Sequence, residues 1–383
     1  MEASAMTSPD APRAISPAKP VTIALVGGFL GAGKTTAIGA LAAELIQRGK
    51  RVAVLTNDQA AGLVDTVLAE RLGVPVEEVS GGCFCCRFED MLDAVVRILP
   101  SEPDILLCEP VGSCTDMAAT VLNPLKLFYP DAFRLAPFTV LADPRRVRES
   151  VLGEEPEPFG PEVGYVFRKQ LEEADAVMLS KLDTLDHAEA DRLVARLAER
   201  YARPVMRCSA ITDDGIEAWA AYLLSGVPAG GHVLADIDYD TYATGEALLG
   251  WLNATVRVTS ETGIDGARLL TCLLEAVRAA CAADGAEIAH LKAALDAPGA
   301  FSRAHLTSTS GAPALTACDA HPREAQLILN ARIGMEPERL RQVAEEALRR
   351  AAEAAGARAG IETLRSFSPG YPTPPYRISG ATG

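Results

Sequence analysis

The sequence predicts an α/β protein: a mostly parallel, doubly wound sheet followed by a smaller C-terminal α+β domain. Three observations lead there. From Val21 onward, short β-branched runs alternate with amphipathic stretches of helical length, as in parallel strands covered by helices on both faces. A glycine-rich turn, GGFLGAGKTT, follows the first such run and opens the first helical stretch. Around residues 225–236, Gly and Pro interrupt the periodicity, which marks a linker.

The expected strands of the first domain, residues 21–224, are Thr22–Val26, Arg51–Thr56, Asp104–Glu109, Phe138–Ala142, Ala176–Leu179 and Pro204–Cys208. The expected helices are Lys34–Gln47, Arg87–Ile98, Val163–Glu173 and Asp186–Arg200, each with apolar residues at helical spacing. Residues 1–20, rich in Ala, Pro and Ser, read as a disordered leader. Beyond the linker, residues 237–360 read as a strand at Asn253–Val258, a helix at Asp265–Ala283 and strands at Glu287–Leu291 and Phe301–Ser308. A strand at Ala325–Ile333 and a helix at Pro337–Ala354 complete this domain. These elements make a small α+β domain of ferredoxin-like kind. The Pro-rich stretch 361–383 reads as an extended tail.

Composition narrows the function. Among 383 residues, 51 are acidic and 36 basic, a formal net charge of −15, which repels phosphate backbones and argues against a nucleic-acid partner. No apolar run approaches the roughly 20 residues of a membrane span. Nine cysteines, three of them within Cys83–Cys86, do not resemble a secreted disulfide framework. Reduced thiols in the cytoplasm are expected.

The turn GGFLGAGKTT matches G-x-x-x-x-G-K-[ST] at Gly28, Gly33, Lys34 and Thr35, with the strand before it and the helix after it that a P-loop requires. Its backbone amides, over Gly28, Gly31, Ala32, Gly33 and Thr36, are expected to face one oxyanion, assisted by the helix dipole. Lys34 is placed for the β- and γ-phosphates and the Thr35 hydroxyl for Mg²⁺. A glycine-rich turn without a ligand is the bland reading, and the flanking strand and helix disfavour it. At the end of the run Ala176–Leu179 stands Ser180-Lys181-Leu182-Asp183. Asp183 would accept from the two guanine donors that adenine lacks, and the stem of Lys181 would lie over the base. Ser209 and Ala210, after the next strand, resemble the short Ser-Ala element that backs the base in GTPases. Such triplets also occur at ordinary strand ends, so their weight comes from the P-loop upstream.

Together with TNDQAAGLVD (Thr56–Asp65), GGCFCC (Gly81–Cys86), EPVG (Glu109–Gly112) and KQLEEADAVMLSKLD (Lys169–Asp183), these motifs resemble the CobW-like metallochaperone GTPases. Relatives of that family insert nickel into hydrogenase and urease. The resemblance runs in order over residues 21 to 224. It implies a slow GTPase with a Walker B-like Glu109-x-x-Gly112, where the Gly112 amide senses the γ-phosphate. It also implies a first switch segment around Asp58 and Asp65, candidates with Glu109 for organising Mg²⁺ or the attacking water. Ser180 stands where such GTPases usually carry Asn, and Ala61 where relatives often carry Glu.

Cys83, Cys85 and Cys86 sit ahead of the Arg87–Ile98 helix, where the helix N-terminus and Arg87 favour thiolate. Three thiolates with an open fourth position suit transfer of a soft or borderline ion, Zn²⁺ or Co²⁺. Packing and redox chemistry are the competing readings. Cys114, two residues past Gly112, reads more readily as filler than as ligand, as do Cys108, Cys272 and Cys281. The five His are scattered and unassigned. The expected function is a GTP- and Mg²⁺-dependent metallochaperone serving a client metalloprotein or a corrinoid-type protein. The alternatives are a kinase or ATPase with redox-active cysteines, and a non-enzymatic metal buffer. Monomer and oligomer both fit the sequence.

Overall fold

The computed structural model describes residues 12–59 and 63–380. Eight strands build the first sheet: β1 (Val21–Gly28), β2 (Val52–Asp58), β3 (Val76–Ser80), β4 (Ile105–Glu109), β5 (Phe133–Leu135), β6 (Thr139–Ala142), β7 (Ala176–Leu179) and β8 (Val205–Arg207). Their spatial order is β3-β2-β4-β1-β6-β7-β8, with β5 also paired to β1. Every pairing is parallel.

The central strands β1, β2, β4, β6 and β7 are buried along nearly their whole length because both faces are covered. On one face Leu41 and Leu45 of the helix Lys34–Gln47 and Trp219 of the helix Ile216–Leu223 meet Ala24, Val26, Val54 and Leu107. On the other, Phe88 and Leu92 of the helix Phe88–Ile98 and Val163 and Phe167 of the helix Pro161–Glu173 meet Ile23, Leu25 and Leu106. All strands point the same way, so the loops after Gly28, Asp58, Ser80, Glu109 and Leu179 leave from one edge.

The second sheet has six strands: β9 (Gly250–Thr259), β10 (Ile288–Ala297), β11 (Ala300–Leu306), β12 (Ala314–Thr316), β13 (Glu324–Ile333) and β14 (Arg358–Phe367). Their order is β12-β11-β10-β13-β9-β14, antiparallel throughout. Without β11 and β12 this is the β-α-β-β-α-β ferredoxin-like arrangement. The helices Gly266–Asp284 and Pro337–Ala354 bury Leu270, Leu274, Val343 and Leu348 against one face. Cys281 is buried in that core and Cys272 half-buried beside it. The opposite face meets the first domain. Two cross-strand rows lie there, Lys292-Asn330-Asn253 and His290-Arg332-Trp251.

Several expectations change. β3 and the helix Val64–Glu70 were not foreseen, because VEEVS alternates with charge and seven helical residues are too few to show a period. The stretch 358–367, divided in the sequence reading between the second domain and an extended tail, is strand β14. Residues 12–20 of the expected leader lie against the first domain: Ile15 joins its core and the Arg13 amide donates to the Tyr129 hydroxyl at 3.3 Å. Ala61 lies outside the described residues. Among the described residues, no helix is long and apolar enough to cross a membrane.

Candidate functional site

The P-loop turns sharply from β1 into the helix Lys34–Gln47. Gly28 and Gly33 have φ of 138° and 90°, and a Cβ on Gly28 would stand 2.7 Å from the Leu141 carbonyl oxygen. Only glycine fits such a path. Ala32 is buried under the loop, and Thr36 lines the same cleft as Gly31, Gly33, Lys34 and Thr35. Lys34 Nζ donates to the Gly28 carbonyl at 2.8 Å, and burial lowers its pKa against the pull of Glu109.

The cleft measures about 790 Å³, of the size expected for a small-molecule site. At its floor the Thr35 hydroxyl stands 2.6 Å from Asp65 Oδ1 and 2.9 Å from Glu109 Oε1. Burial and the Asp65 charge push Glu109 up to about 7. Its buried Oε2 has no hydrogen-bond partner among the described residues. Two carboxylates, one of them with an orphaned oxygen, and a hydroxyl are hard donors that fit Mg²⁺. Burial works to raise the Asp65 pKa, but Lys292 and Thr35 outweigh it and hold it low.

Asp58 does not join that group. It forms a buried ion pair with Arg332 and accepts from Asn253 Nδ2 at 3.3 Å. The second domain therefore holds a residue expected at the reacting phosphates. Gly112 lies against the P-loop, where a Cβ would come within 2.6 Å of Leu30 Cδ2. A side chain here would have to push Leu30 aside and would crowd the Leu30 amide nitrogen, 3.1 Å from such a Cβ.

At the base end, Ser209 Oγ donates to Asp183 Oδ1 at 2.6 Å and accepts the Ile211 amide at 3.2 Å. Lys181, with φ of 54°, donates to Asp143 Oδ2 at 2.6 Å. Ser180 is buried, its amide donating to the Ala142 carbonyl at 3.0 Å. Ala210, Lys181 and Asp183 line the cleft. Asp183 is thus oriented by Ser209 and remains exposed at the cleft mouth.

The thiol cluster differs from the sequence reading. Cys83, Cys85 and Cys114 are buried, with all three sulfurs within 4.8 Å of one another. Cys83 and Cys85 approach to 2.6 Å. Cys86 is the outlier: its sulfur lies 3.8 Å from Cys85 and accepts the Thr373 amide of the C-terminal tail at 3.2 Å. The turn explains this, since the Cys86 and Arg87 amides both bond the Cys83 carbonyl and rotate residue 86 outward. Arg87 does not serve the thiols, because its guanidinium pairs with Asp90. Hydrogen bonds from Cys114, Cys85 and Cys86 hold the Cys83 thiol well below its usual range. Hydrogen bonds with Cys114, Cys83 and Cys86 push Cys85 up, burial pushes Cys114 up, and the hydrogen bond with Cys83 raises Cys86 to about 12. One thiolate shared among neighbouring thiols is a ready nucleus for a thiophilic cation. Cys108 is a buried filler, as expected.

Two polar clamps connect the two sites, from residues that lie inside the motif stretches Thr56–Asp65 and Lys169–Asp183 but to which those motifs assign no role. Asn57, beside Asp58, donates to the Val79 and Gly82 carbonyls at 2.9 and 2.8 Å and accepts the Phe84 amide at 2.9 Å. Gln170 donates to the Gly112 and Cys114 carbonyls at 3.0 and 2.8 Å. Lys292, His290, Arg303 and His305 of β10 and β11 also line the cleft. Their only signal in the sequence was the alternation of a strand whose second face carries polar residues.

Residues 22–205 match the family profile described as CobW/HypB/UreG, nucleotide-binding domain. The chain is similar to "Zinc chaperone YjiA" of Escherichia coli, 33% identical over 102 residues, 26% of this chain and 31% of that one. It is also similar to "Zinc chaperone CobW" of Pseudomonas aeruginosa, 29% identical over 210 residues, 47% and 53% of the two chains. The matches therefore span about a third to a half of these curated relatives. A crystal structure of HypB from Helicobacter pylori in complex with nickel aligns with a TM-score of 0.40 at 17% identity, covering 57% of this chain and 92% of that one. By profile, motif order and P-loop architecture, residues 22–205 are a nucleotide-binding domain of the CobW/HypB/UreG family.

Proposed function

We propose that this chain is a GTP-hydrolysing metallochaperone that carries Zn²⁺ or Co²⁺ as cargo to a client metalloprotein or corrinoid-type protein in the cytoplasm. The observation that carries the reading is the buried trio Cys83, Cys85 and Cys114, whose third member sits two residues past the expected γ-phosphate sensor Gly112. Three sulfurs at that spacing suit thiolate ligation of one ion, with a fourth position left for exchange. Zinc is favoured by what the curated relatives are named for.

In this reading the P-loop amides and Lys34 hold the β- and γ-phosphates, and Asp183 selects guanine. Mg²⁺, held by Thr35 with Asp65 and Glu109, would neutralise charge on the terminal phosphates. Glu109, with its free buried oxygen, orients the attacking water. Turnover in the absence of a partner is slow, since no arginine stands in the stretches 28–36, 56–59 or 109–112. The test combines three measurements on one preparation: GTP-against-ATP competition, phosphate release, and Zn²⁺ affinity against a chelator. Equal affinity for the two nucleotides would favour the kinase or ATPase reading. Metal binding without any hydrolysis would leave only a buffer.

A further inference from the structure

β10 crosses the cleft from the phosphate loop to the magnesium ligands. At its start the Ala289 carbonyl oxygen abuts the P-loop, 3.0 Å from where a Cβ of Gly31 would be. Three residues on, Lys292 Nζ stands 2.6 and 2.9 Å from the two oxygens of Asp65. The nearer oxygen, Oδ1, also accepts the Thr35 hydroxyl at 2.6 Å. The ammonium therefore sits on the oxygens that fit Mg²⁺, beside the buried and partnerless Glu109 Oε2.

This position is held on both sides. In the same cross-strand row, Asn330 Oδ1 accepts the Val64 amide at 2.8 Å, next to Asp65, and Asn253 donates to Asp58. Arg332, in the adjacent row, pairs with Asp58. The row is thus docked onto the segment that carries both acidic residues. The Lys292 and Asp65 side chains are 22% and 16% exposed, so the pair lies inside the cleft rather than on its rim.

We propose that Lys292 is a cation supplied in cis by the second domain. It holds the place of Mg²⁺ on Asp65 while the nucleotide site is empty and passes to the terminal phosphates when Mg²⁺ and GTP bind. The inference rests on the GTPase reading above and adds a catalytic residue to it. Lys292 spans both oxygens of Asp65, so an Mg²⁺ taking either of them competes with the ammonium for that carboxylate and repels it. Entry of Mg²⁺ therefore displaces the ammonium, whose flexible stem lets it rotate to the nearest anion. In hydrolysis the water oxygen forms a bond to the γ-phosphorus as the bond from the β–γ bridging oxygen breaks. GDP and inorganic phosphate are released, and the proton passes to phosphate or solvent. Charge grows on the bridging and γ-oxygens in that step, and Lys292 stabilises it in the way an arginine finger does elsewhere.

The experiment uses the full chain with Lys292→Gln, Lys292→Ala and Lys292→Arg. Three quantities are measured: single-turnover GTP hydrolysis, affinity for a fluorescent GDP as a function of Mg²⁺, and trapping of GDP with aluminium fluoride. The expected result for Gln and Ala is a fall in the single-turnover rate of about a hundredfold, below the range reported for arginine fingers. Trapping is lost, while GDP binds with equal or lower Mg²⁺ demand because Asp65 has been freed. Arg restores part of the rate. A hydrolysis rate within twofold of wild type in all variants overturns the proposal. So does a parallel loss of GDP affinity and rate that Arg does not relieve, since a merely structural tie predicts it. A wild-type chain that does not hydrolyse GTP rejects the GTPase reading itself, which separates the two failures.

Discussion

In the sequence Cys114 reads more readily as filler than as ligand, because a lone cysteine gives no ligand spacing; the fold supplies it. Gly112 turns the chain against Leu30, Gln170 fixes the carbonyls on either side of the turn, and the Cys114 sulfur lands beside Cys83 and Cys85. Cys86 is carried outward by the same local geometry that makes the motif contiguous. Cys114→Ser is therefore expected to weaken Zn²⁺ binding by a hundredfold or more and Cys86→Ser by less than about tenfold, on the general scale of ligand-set disruption. Competition with a chromophoric chelator measures both, and a reversed ranking would return Cys86 to the ligand set. Lys34→Ala should sharply reduce triphosphate affinity with the fold retained, checked by labelled-GTP binding and circular dichroism. Asp183→Asn should erode guanine preference, read as the ratio of GTP to ATP competition constants. The P-loop and base residues were legible because each set lies in one short run whose chemistry is local. Lys292 was not, since it meets Asp65 across 227 positions of sequence.

At the scale of elements, the end of the helix Pro161–Glu173 serves the loop after β4. Gln170 clamps Gly112 and Cys114, and Glu173 accepts the Ala118 amide at 3.0 Å and the Thr115 hydroxyl at 3.3 Å. Burial raises Glu173 from 4.5 to about 8, against the help of the Ala118 amide. Between those values the folded chain binds a proton that the unfolded chain has released. Its contribution to stability is accordingly present below about 4.5 and falls as pH rises through about 8. Glu173→Gln keeps an acceptor for the amide but cannot ionise. Relative to wild type, its urea midpoint should gain between pH 6 and pH 8.5; a constant difference would show that Glu173 does not titrate in that range. The parallel strands were readable because burial on both faces makes them continuous apolar runs. The short edge strand β3 and the seven-residue helix Val64–Glu70 were not. Nor was β14, whose residues are mostly exposed or half-buried, so that no apolar stripe marks it.

Across the whole molecule, the two sites share their supports. Asn57 and Asp58 are consecutive: the first holds the cysteine loop at Val79, Gly82 and Phe84, the second is tied to Arg332 of the second domain. Gln170 likewise grips both Gly112, at the phosphate end, and Cys114, at the metal end. On the proposed function, a γ-phosphate that reorders the loops after β2 and β4 would shift Cys83 and Cys85 relative to Cys114, and a bound ion that fixes the three sulfurs would bias those loops in return. Linkage makes the two effects equal: whatever factor GTP applies to metal affinity, metal applies to GTP affinity. A working switch needs about 1–3 kcal/mol, or roughly 5- to 150-fold. The measurement is Zn²⁺ affinity in the presence of GDP and of a non-hydrolysable GTP analogue, together with nucleotide affinity with and without Zn²⁺. Wild type should give equal factors from the two directions. Gln170→Leu leaves the phosphate loop, the thiols and Asn57 in place but removes both hydrogen bonds that join Gly112 to Cys114. It should bring the two factors toward one while each ligand alone still binds. Identical Zn²⁺ affinity in both nucleotide states of the wild type would mean that the thiol site is not under nucleotide control. Coupling that survives unchanged in Gln170→Leu would route it instead through Asn57 and the cysteine loop.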